Sequence, residues 1–465
     1  MMSKQLGSHR LSRRAFLAGI GTTAFGAAFL AACAPSAAPS APAAAGGEAA
    51  PAGQEKVTVR AHMVQKQDVS DWIQTGLDTD IDGFASSNPD IEVVLETIPG
   101  WMAEYQPKIL SFAAADTLGD LVWYPPRHRS HIAWGVNYGI VTDLRPLAEG
   151  AGYDIDANFY AGAVTANSYE GGTYWMSYIS EPIVPVIAYN KTKLADMGVA
   201  EPTDDWTFAE LAAWAQEATT EDVFAYYLAD RSLQAFSGGP YLRQWGIEPV
   251  NEDGTQATLA DFAEPLQAAL QNDYDMINTL KVSPSPAAGA INAPELFGGQ
   301  KVLAVDIWPF RIQIYPASFT DFEIGFVLTP VVNKGDARRS MLNEHVFGIT
   351  TKSKAPDAAF KFLTWIAGKE MNVQALVQGQ KGPIARADVW ADDRIYESAP
   401  TYRKLAPIMA EIEADFVVGN FRGEEFDQAY QQVYDAVLLG DKQPSPAVVE
   451  ELQTLCQAVL DKDVA

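Results

Sequence analysis

The stretch "DTDIDGFASSNPDIEVVLETIP", residues 78–99, decides the fold class because it joins a helix pattern to a strand pattern. One apolar stripe at helical spacing runs into its first half and is formed by Ile73, Leu77, Ile81 and Phe84. Asn88-Pro89 ends this helix, and alternating apolar residues then predict a strand. A second strand pattern, "KVTVRAHMV" at 56–64, precedes the helix. Strand, helix and strand in this order predict a parallel α/β sheet.

The aspartates of the same stretch also match the opening of a calcium-binding loop. Asp78, Asp80 and Asp82, followed by Gly83, have the D-x-D-x-D-G spacing of an EF-hand loop. Such a loop needs a bidentate glutamate at its twelfth position, and Pro89 occupies that position. We therefore expect a helix on which Asp78 and Asp82 share a solvent-facing side. Calcium binding with ligands from elsewhere in the fold stays open.

The first 32 residues have the pattern of an export signal, with basic residues, no acidic residue and then the apolar run "AFLAGIGTTAFGAAFLAA". The segment "LSRRAFLAG", which contains Arg13 and Arg14, resembles a twin-arginine signal with Ala18 where lysine is usual. "LAAC", residues 30–33, resembles a bacterial lipobox, after which Cys33 is lipidated. An ordinary cleaved signal and an uncleaved anchor are the alternatives.

The segment after the signal is a predicted tether. Residues 34–55 consist largely of Ala, Pro, Gly and Ser, with almost no bulky side chain to bury. Such a segment cannot offset the entropy of folding, so we expect a disordered tether over 33–55. Anchor, tether and globular body together predict an extracytoplasmic protein that is held at the cell membrane through Cys33.

The charge balance excludes one class of partner. The chain has 59 acidic and 33 basic residues, a formal net charge of −26. Nucleic-acid binding needs a basic surface, so we expect no nucleic-acid partner. Once Cys33 is modified, Cys456 is the remaining cysteine of the 2 in the chain, and no intrachain disulfide is expected. Cys456 shares a helical stripe with Leu452 and Val459, which predicts a core position.

Five segments, taken in chain order, carry a family resemblance. They are "FASSNPDIEVVLETIP" (84–99), "GDLVWYPP" (119–126), "GGTYWMSYISEP" (171–182) with "VIAYNKTKLADMGVAEPTDDWTFAEL" (186–211), "LFGGQKVLAVDIWP" (296–309) and "FGITTKSKAPDAAFKFLTWIAGKEMNVQALVQGQKGPIAR" (347–386). Together they resemble the extracellular solute-binding proteins of family 1, the maltodextrin-binding-like receptors of ABC importers. The second segment departs from the family pattern, with Gly119 where the family has proline.

The resemblance implies an α/β fold of two lobes, the type II periplasmic-binding-protein-like architecture, with the ligand cleft between the lobes. Lobe 1 would comprise 57–180 plus 333–380, and lobe 2 would comprise 181–332 plus 381–465. This placement agrees with the general rule that ligands bind at the carboxyl ends of strands and in clefts between domains.

The resemblance also implies which residues hold the ligand. A sugar presents apolar C–H faces, which aromatic rings cover. It also carries hydroxyls, which donate hydrogen bonds to carboxylate and amide oxygens. Tyr124 and Trp308 fall where the family has stacking aromatics. The further expected ligand-binding residues, at the lobe crossing or near candidate loops, are Trp123, Tyr178, Glu181, Asp306 and Trp245. For each of these residues, packing against its own lobe is the alternative.

Two rival functions use different chemistry. A secreted glycosidase would use two carboxylates, but with 59 acidic residues a pair of carboxylates proves nothing. The sequence contains no G-x-S-x-G, H-E-x-x-H or Walker A motif, and we expect a binding protein rather than an enzyme. A structural adhesin is a third possibility that a cleft-forming body disfavours.

The second rival is the same receptor with a different cargo, namely a glycerol-phosphate compound, a peptide or a polyamine. An anionic cargo would need basic side chains in the cleft, and the candidates near predicted loops are Arg127, Arg243, Arg311 and Lys381. His128 and His131 are three residues apart but have no nearby acidic or cysteine partner, so no metal or other cofactor is expected.

The expected mechanism is closure of the lobes around the solute, a population shift from open to closed forms. The closed form would dock on the transmembrane permease subunits of an ABC importer. Lipidated Cys33 would hold the receptor, expected to be a monomer, near that partner.

Overall fold

The computed structural model of the chain describes residues 56–65, 70–99, 102–124, 128–183, 185–228, 233, 238–285 and 293–463. The predicted signal with Arg13 and Arg14, the tether with Cys33, and Arg127 lie outside the described residues, as do the side chains of His128 and His131. In the described part of the chain, no helix has both the length and the apolar character needed to cross a membrane.

The strands are short segments spread over the whole body. In chain order they are β1 (Val57–Gln65), β2 (Ile91–Pro99), β3 (Leu121–Tyr124), β4 (Ser168–Tyr169), β5 (Gly172–Thr173), β6 (Met176–Pro182), β7 (Val186–Asn190), β8 (Phe224–Tyr227), β9 (Val302–Ile307), β10 (Ile324–Leu328) and β11 (Leu342–Ile349).

The helices connect and cover these strands. In chain order they are α1 (Ser70–Ser87), α2 (Met102–Ala114), α3 (His128–Asn137), α4 (Arg145–Ala151), α5 (Ile155–Asn158), α6 (Ala161–Ala166), α7 (Lys191–Met197), α8 (Phe208–Ala218), α9 (Gly238–Gln244), α10 (Ala263–Tyr274), α11 (Ala293–Gly298), α12 (Arg311–Ser318), α13 (Pro356–Ile366), α14 (Lys369–Val377), α15 (Ala387–Trp390), α16 (Asp393–Ser398), α17 (Tyr402–Ala410), α18 (Gly423–Leu438) and α19 (Pro446–Leu460). A 3-10 turn, Leu259–Phe262, precedes α10, and a π-helical turn, Asp275–Thr279, follows it.

The structure confirms the predicted strand–helix–strand unit, which consists of β1, α1 and β2. α1 ends at Ser87, where the Asn88 side-chain amide donates to the Phe84 carbonyl oxygen at 3.0 Å. The Asn88 backbone N–H donates to the same oxygen at 2.8 Å, so both polar groups of Asn88 bind the last turn of the helix. β1 then pairs in parallel with β2 over its full length, in the register Val57↔Ile91. Cys456 lies buried on α19, which confirms its predicted core position.

The larger sheet, called the first sheet below, has five strands in the order β2-β1-β3-β11-β6. β1, β2 and β3 are parallel, as expected, but β11 runs antiparallel to both β3 and β6. The predicted parallel pairing holds for these three strands, and β11 makes the sheet as a whole mixed. The reversal follows from connectivity, because β11 enters this sheet from the second one and not through a crossover helix.

The second sheet has four strands in the order β10-β7-β9-β8. α8 covers it and begins with a capping box, in which Thr207 and Glu210 each bind the backbone N–H of the other. Trp206 and Trp214 pack edge to face with ring centroids 6.0 Å apart and belong to the buried core around this sheet.

Connections between the two sheets lie side by side. β6 leads into β7, and β10 leads into β11. Residues 384–412 pack into a core that includes the first sheet and one face of the second, and residues 416–460 pack into the core on the other face of the second sheet, so the chain passes between the two cores near Glu413. Glu413 forms a parallel bridge with Met341. The predicted lobe 2 includes all of 381–465, and the lobe boundaries remain a prediction.

Candidate functional site

One edge of the second sheet collects the ends of several strands. β8 is parallel to β9, and β7 runs antiparallel to both β9 and β10, so β8, β9 and β10 all end at this edge. The connections to and from the first sheet leave from the same edge. In open α/β sheets ligands bind outside the carboxyl ends of the strands, which makes this edge the candidate site.

A small pocket with a cavity volume of about 40 Å³, partly open to solvent, lies at this edge. The side chains in its wall that bear on ligand chemistry are Phe208, Tyr226, Tyr241, Asp306, Arg338 and Arg339. Aromatic walls with a few convergent polar groups are typical of sites for small molecules.

Asp306 is the carboxylate of this pocket. It lies half-buried on β9, and the Tyr226 hydroxyl on the neighbouring β8 donates to its Oδ2 atom at 2.7 Å. The bond fixes the orientation of a group that accepts several hydrogen bonds. A fixed acceptor at the end of a strand suits a ligand that is rich in hydroxyl groups.

An aromatic cluster forms one wall of the pocket. Trp245 stacks on Phe208 with ring centroids 5.5 Å apart and an interplanar angle of 18°. Tyr241 packs edge-on against Phe208 at 5.4 Å and against Trp245 at 6.2 Å. The cluster holds Phe208 and Tyr241 in place on the pocket surface, while Trp245 supports them from half-buried depth.

Two arginines from the β10–β11 connection form another part of the pocket wall. Arg338 donates to the backbone carbonyls of Thr329, at 2.7 Å, and of Asp204. Burial lowers the pKa of Arg338, and the nearby carboxylate of Asp204 opposes that shift. Arg339 instead pairs with two carboxylates, those of Glu413 and Glu248, and lies 2.8 Å from the first.

The charges next to this wall are mutually neutralised. Arg243, on α9, is buried and lies 3.0 Å from Glu248 and 3.2 Å from Glu413. Arg339 reaches the same two carboxylates, with Glu248 at 3.2 Å. Two guanidinium groups thus share two carboxylates where the connections between the sheets meet. Arg243 is therefore already paired with carboxylates of the protein itself.

The other two cations considered for an anionic cargo also have partners within the fold. Lys381 is buried against Asp80 at 3.3 Å. The Arg311 guanidinium donates to the Tyr315 hydroxyl at 3.0 Å and lies 5.5 Å from the centre of the Phe310 ring.

The aspartates of the opening stretch have separate environments. Asp78 and Asp82 are exposed on α1, as predicted, but Asp80 is buried and 1% exposed. Its partner is Lys381, a cation that the calcium interpretation does not include. Among the residues that the structure describes, no group of three His, Cys, Asp or Glu side chains could hold a metal ion.

Tyr124 and Trp123 end β3 inside the core of the first sheet. The Tyr124 ring packs against Trp175 with centroids 5.3 Å apart, and Gln106 donates an amide hydrogen bond to its hydroxyl. Burial raises the pKa of Tyr124, with a further upward contribution from the carboxylate of Glu424 on α18. The Trp123 ring stacks on His345 at 5.6 Å.

Glu181 and Tyr178, both on β6, are buried in different surroundings. The Tyr178 ring lies 4.2 Å from the Lys381 ammonium, within the core of the first sheet. Glu181 contacts the segment that follows β9, since its Oε2 atom accepts the backbone N–H of Phe310 at 3.1 Å. Phe310 lies just after Trp308, which is half-buried against the core of the second sheet.

Of the seven predicted ligand residues, Asp306 lines the pocket and Trp245 supports its aromatic wall. The others lie in the first core, between the sheets or directly after β9. Five further pocket residues, which are not among the predicted ligand residues, are Phe208, Tyr226, Tyr241, Arg338 and Arg339. The sequence around these residues gives no signal of a pocket, because the pocket is assembled from elements that are distant in sequence.

Comparison with protein families gives one match over most of the chain. The family described as bacterial extracellular solute-binding protein matches residues 68–373. No curated protein sequence matches the chain.

Solved structures share the fold at low sequence identity. An ABC substrate-binding protein from Listeria monocytogenes, in complex with cycloalternan, has a TM-score of 0.71 at 19% identity, over 88% of this chain and 100% of that one. The cyclic alpha-maltosyl-1,6-maltose binding protein from Arthrobacter globiformis has a TM-score of 0.71 at 19% identity, over 87% and 99%. The GacH receptor of Streptomyces glaucescens, whose complex with acarbose is known, has a TM-score of 0.69 at 18% identity, over 88% and 99%.

Proposed function

The chain belongs to the bacterial extracellular solute-binding proteins, and we propose that it captures a sugar or oligosaccharide for an ABC importer. The family consists of binding proteins, so the chain is a receptor and not an enzyme. Carbohydrate cargo is supported by the similar structures, whose proteins bind cycloalternan, cyclic alpha-maltosyl-1,6-maltose or acarbose.

The observation that carries the proposal is the pocket at the carboxyl edge of the second sheet. Phe208 and Tyr241 offer apolar ring surface, and the oriented Asp306 carboxylate offers hydrogen-bond acceptors. A sugar needs both, because its C–H faces are apolar and its rim carries hydroxyl donors. A purely apolar or purely charged ligand would leave one half of this surface unmatched.

A receptor for an anionic solute is the weaker alternative. Three of the four cations considered for it, Arg243, Arg311 and Lys381, have partners within the fold, and the pair of Lys381 with Asp80 is buried on both sides. Drawing Lys381 away from Asp80 would leave a buried carboxylate unpaired at a cost of several kcal/mol, on the order of 3–5. An uncharged polyol avoids this cost.

The ligand site as a whole extends beyond the pocket in this proposal. Trp308 and Asp306 would contact the ligand from the second sheet, and Tyr124 and Trp123 would do so from the first. Lobe closure would bring these groups together, with 57–180 plus 333–380 moving against 181–332 plus 381–465. Tyr178, Glu181 and Trp245 complete the proposed set of site residues.

Delivery and anchoring are part of the same proposal. The closed receptor would dock on the transmembrane permease subunits as a monomer. A twin-arginine signal with Arg13 and Arg14 would direct its export, and lipidation of Cys33 would then hold it at the membrane. The tether, about 22 residues long, would span roughly 25 Å as a flexible coil and keep the body near its permease.

Thermal unfolding against a solute panel tests this function. Maltotriose, xylotriose, cellotriose and mannotriose form the sugar arm, and glycerol phosphate, spermidine, a tripeptide and calcium form the other arm. A sugar at one hundred times its Kd stabilises the folded state by about 2.7 kcal/mol, which raises Tm visibly. We expect one sugar class to shift Tm and the second arm to leave it unchanged.

Each contrary outcome has a defined meaning. A shift with glycerol phosphate or spermidine alone would keep the receptor and replace its cargo. A shift with calcium alone would point back to Asp78, Asp80 and Asp82. Release of product from a chromogenic glycoside would contradict the assignment as a receptor.

A further inference from the structure

The buried carboxylate of Glu181 joins the two sheets at a point next to the proposed ligand site. Glu181 lies on β6 of the first sheet and is 1% exposed. Its Oε2 atom accepts the N–H of Phe310, and its Oε1 atom lies 3.4 Å from the amide nitrogen of Asn343 on β11. Phe310 is two residues beyond Trp308, so the carboxylate holds the segment 308–310, called the Trp308 loop below.

A second side chain, from α17, holds the same loop. The Tyr402 hydroxyl on α17 donates to the backbone carbonyl of Pro309 at 3.4 Å. The loop closes on itself through the Arg311 N–H, which donates to the Trp308 carbonyl at 2.9 Å. The Trp308 loop thus follows β9 of the second sheet directly and is bound by Glu181 of the first sheet and by Tyr402 of α17.

We propose that Glu181 is a positioning residue, which holds the Trp308 loop against the first sheet and couples separation of the two sheets to the loss of one proton. The inference rests on the proposed function, because the loop that Glu181 holds contains Trp308, a proposed ligand-binding residue. When the sheets separate, Phe310 leaves the carboxylate and water reaches it, whereas the joined form keeps it dry.

The surroundings of Glu181 determine in which direction pH shifts the balance between the joined and separated forms. Burial raises the pKa of Glu181 to about 8, while hydrogen bonds from the Phe310 N–H and the Asn343 amide and the charge of Arg311 oppose that shift. In the described part of the chain, the charged or titratable groups that act on it from packed elements are Arg311 on α12 and Tyr402 on α17. Gly382 packs beside the carboxylate from the segment before α15.

A raised pKa means that the joined form binds the proton more tightly than a form with a hydrated carboxylate. The joined form is therefore favoured at low pH and loses this advantage as pH rises from the ordinary glutamate range, about 4.3, to about 8. Above that pH both forms are ionised and the dependence levels off. Affinity for a sugar that needs the joined form follows the same curve.

The first experiment needs no sugar. Small-angle scattering of the ligand-free protein at pH 5.5 and pH 8.5 measures its radius of gyration. We expect a larger radius at pH 8.5 for the wild type and no pH effect for Glu181→Gln, whose amide oxygen still accepts the Phe310 N–H but does not titrate. The same pH effect in both proteins overturns the inference, whether or not any sugar binds.

The second experiment measures the Kd of maltotriose, or of the panel trisaccharide that binds tighter, between pH 5.5 and pH 9. We expect the wild type to bind at least about tenfold more weakly at pH 8 than at pH 5.5, and Glu181→Gln to show a flat profile. A merely structural role would change Tm without changing this profile. Failure of every sugar to bind at any pH would reject the proposed function instead.

Glu344→Gln is the matched control. Burial raises the pKa of Glu344 to about 7, against hydrogen bonds from Ser177, Asn167 and Ser180. These partners belong to β6 and to the end of α6, on the side of the first sheet, so this carboxyl does not bridge the sheets. We expect this variant to keep the wild-type slope of Kd against pH. A flat profile in Glu344→Gln would contradict the assignment of the slope to Glu181.

Discussion

Replacing Lys381 by alanine is expected to lower the free energy of unfolding by about 3–5 kcal/mol, because it leaves a buried carboxylate without its partner. The Lys381 ammonium lies 3.3 Å from Asp80 and 4.2 Å from the centre of the Tyr178 ring, and it donates to the Ile366 carbonyl at 3.1 Å. The Asn372 amide also donates to the Ile366 carbonyl. The carboxylate of Asp80 is therefore the group that the substitution leaves without its partner.

The signs of the two pKa shifts show that the pair itself is costly to bury. Burial raises the pKa of Asp80 and lowers the pKa of Lys381, in each case against the attraction of the partner. The double variant Asp80→Leu, Lys381→Met removes both charges at similar volume, and we expect it to regain most of the lost stability.

Chemical denaturation measures both variants, with Lys361→Ala on the exposed face of α13 as the control. That control is expected to stay within about 0.5 kcal/mol of the wild type. A loss below about 1 kcal/mol in Lys381→Ala, or no recovery in the double variant, would contradict the buried pair.

Gly254→Ala is the second substitution with a large expected effect, a loss of about 2–5 kcal/mol. Gly254 has φ +67° in the turn after Asn251, and this left-handed conformation costs an alanine about 1–2 kcal/mol. A Cβ atom there would also meet the Val417 carbonyl oxygen well inside contact distance and the Gly419 nitrogen at 2.7 Å. Forcing these backbones apart adds about 1–3 kcal/mol.

Gly139→Ala isolates the conformational part of that cost. Gly139 has a similar φ of +62°, but an added Cβ would meet nothing within 4 Å. Urea unfolding of both variants should show a clearly larger loss for Gly254→Ala, since the segment it displaces leads into α18. Equal losses in the two variants would mean that the contact with Val417 and Gly419 is not tight.

Local sequence patterns were sufficient for elements whose signals lie within a few residues. The stripe that includes Leu77 and Phe84 with the Asn88-Pro89 stop placed α1, and alternation placed β1 and β2. The resemblance placed the two-lobe α/β fold, because the order of weak motifs carries information that no single motif does.

The environments of individual side chains depend on residues that are distant in sequence. Asp80 is buried because Lys381, 301 residues later, packs above it, and no pattern around position 80 shows this. Tyr226 reaches Asp306 for the same reason, since β8 and β9 are neighbours only in the folded sheet. The reversed direction of β11 likewise follows from a connection between sheets and not from its own residues.

Titration calorimetry of the tightest-binding panel sugar against Asp306→Asn and Trp308→Ala tests the central claim most directly. Asp306→Asn keeps an acceptor for the Tyr226 hydroxyl but loses the charge, and we expect it to weaken binding about 10–100-fold. Trp308→Ala should weaken binding at least about tenfold, and Asp222→Asn, exposed before β8, should bind like the wild type. Wild-type affinity in both Asp306→Asn and Trp308→Ala would contradict a carbohydrate site at the carboxyl edge of the second sheet.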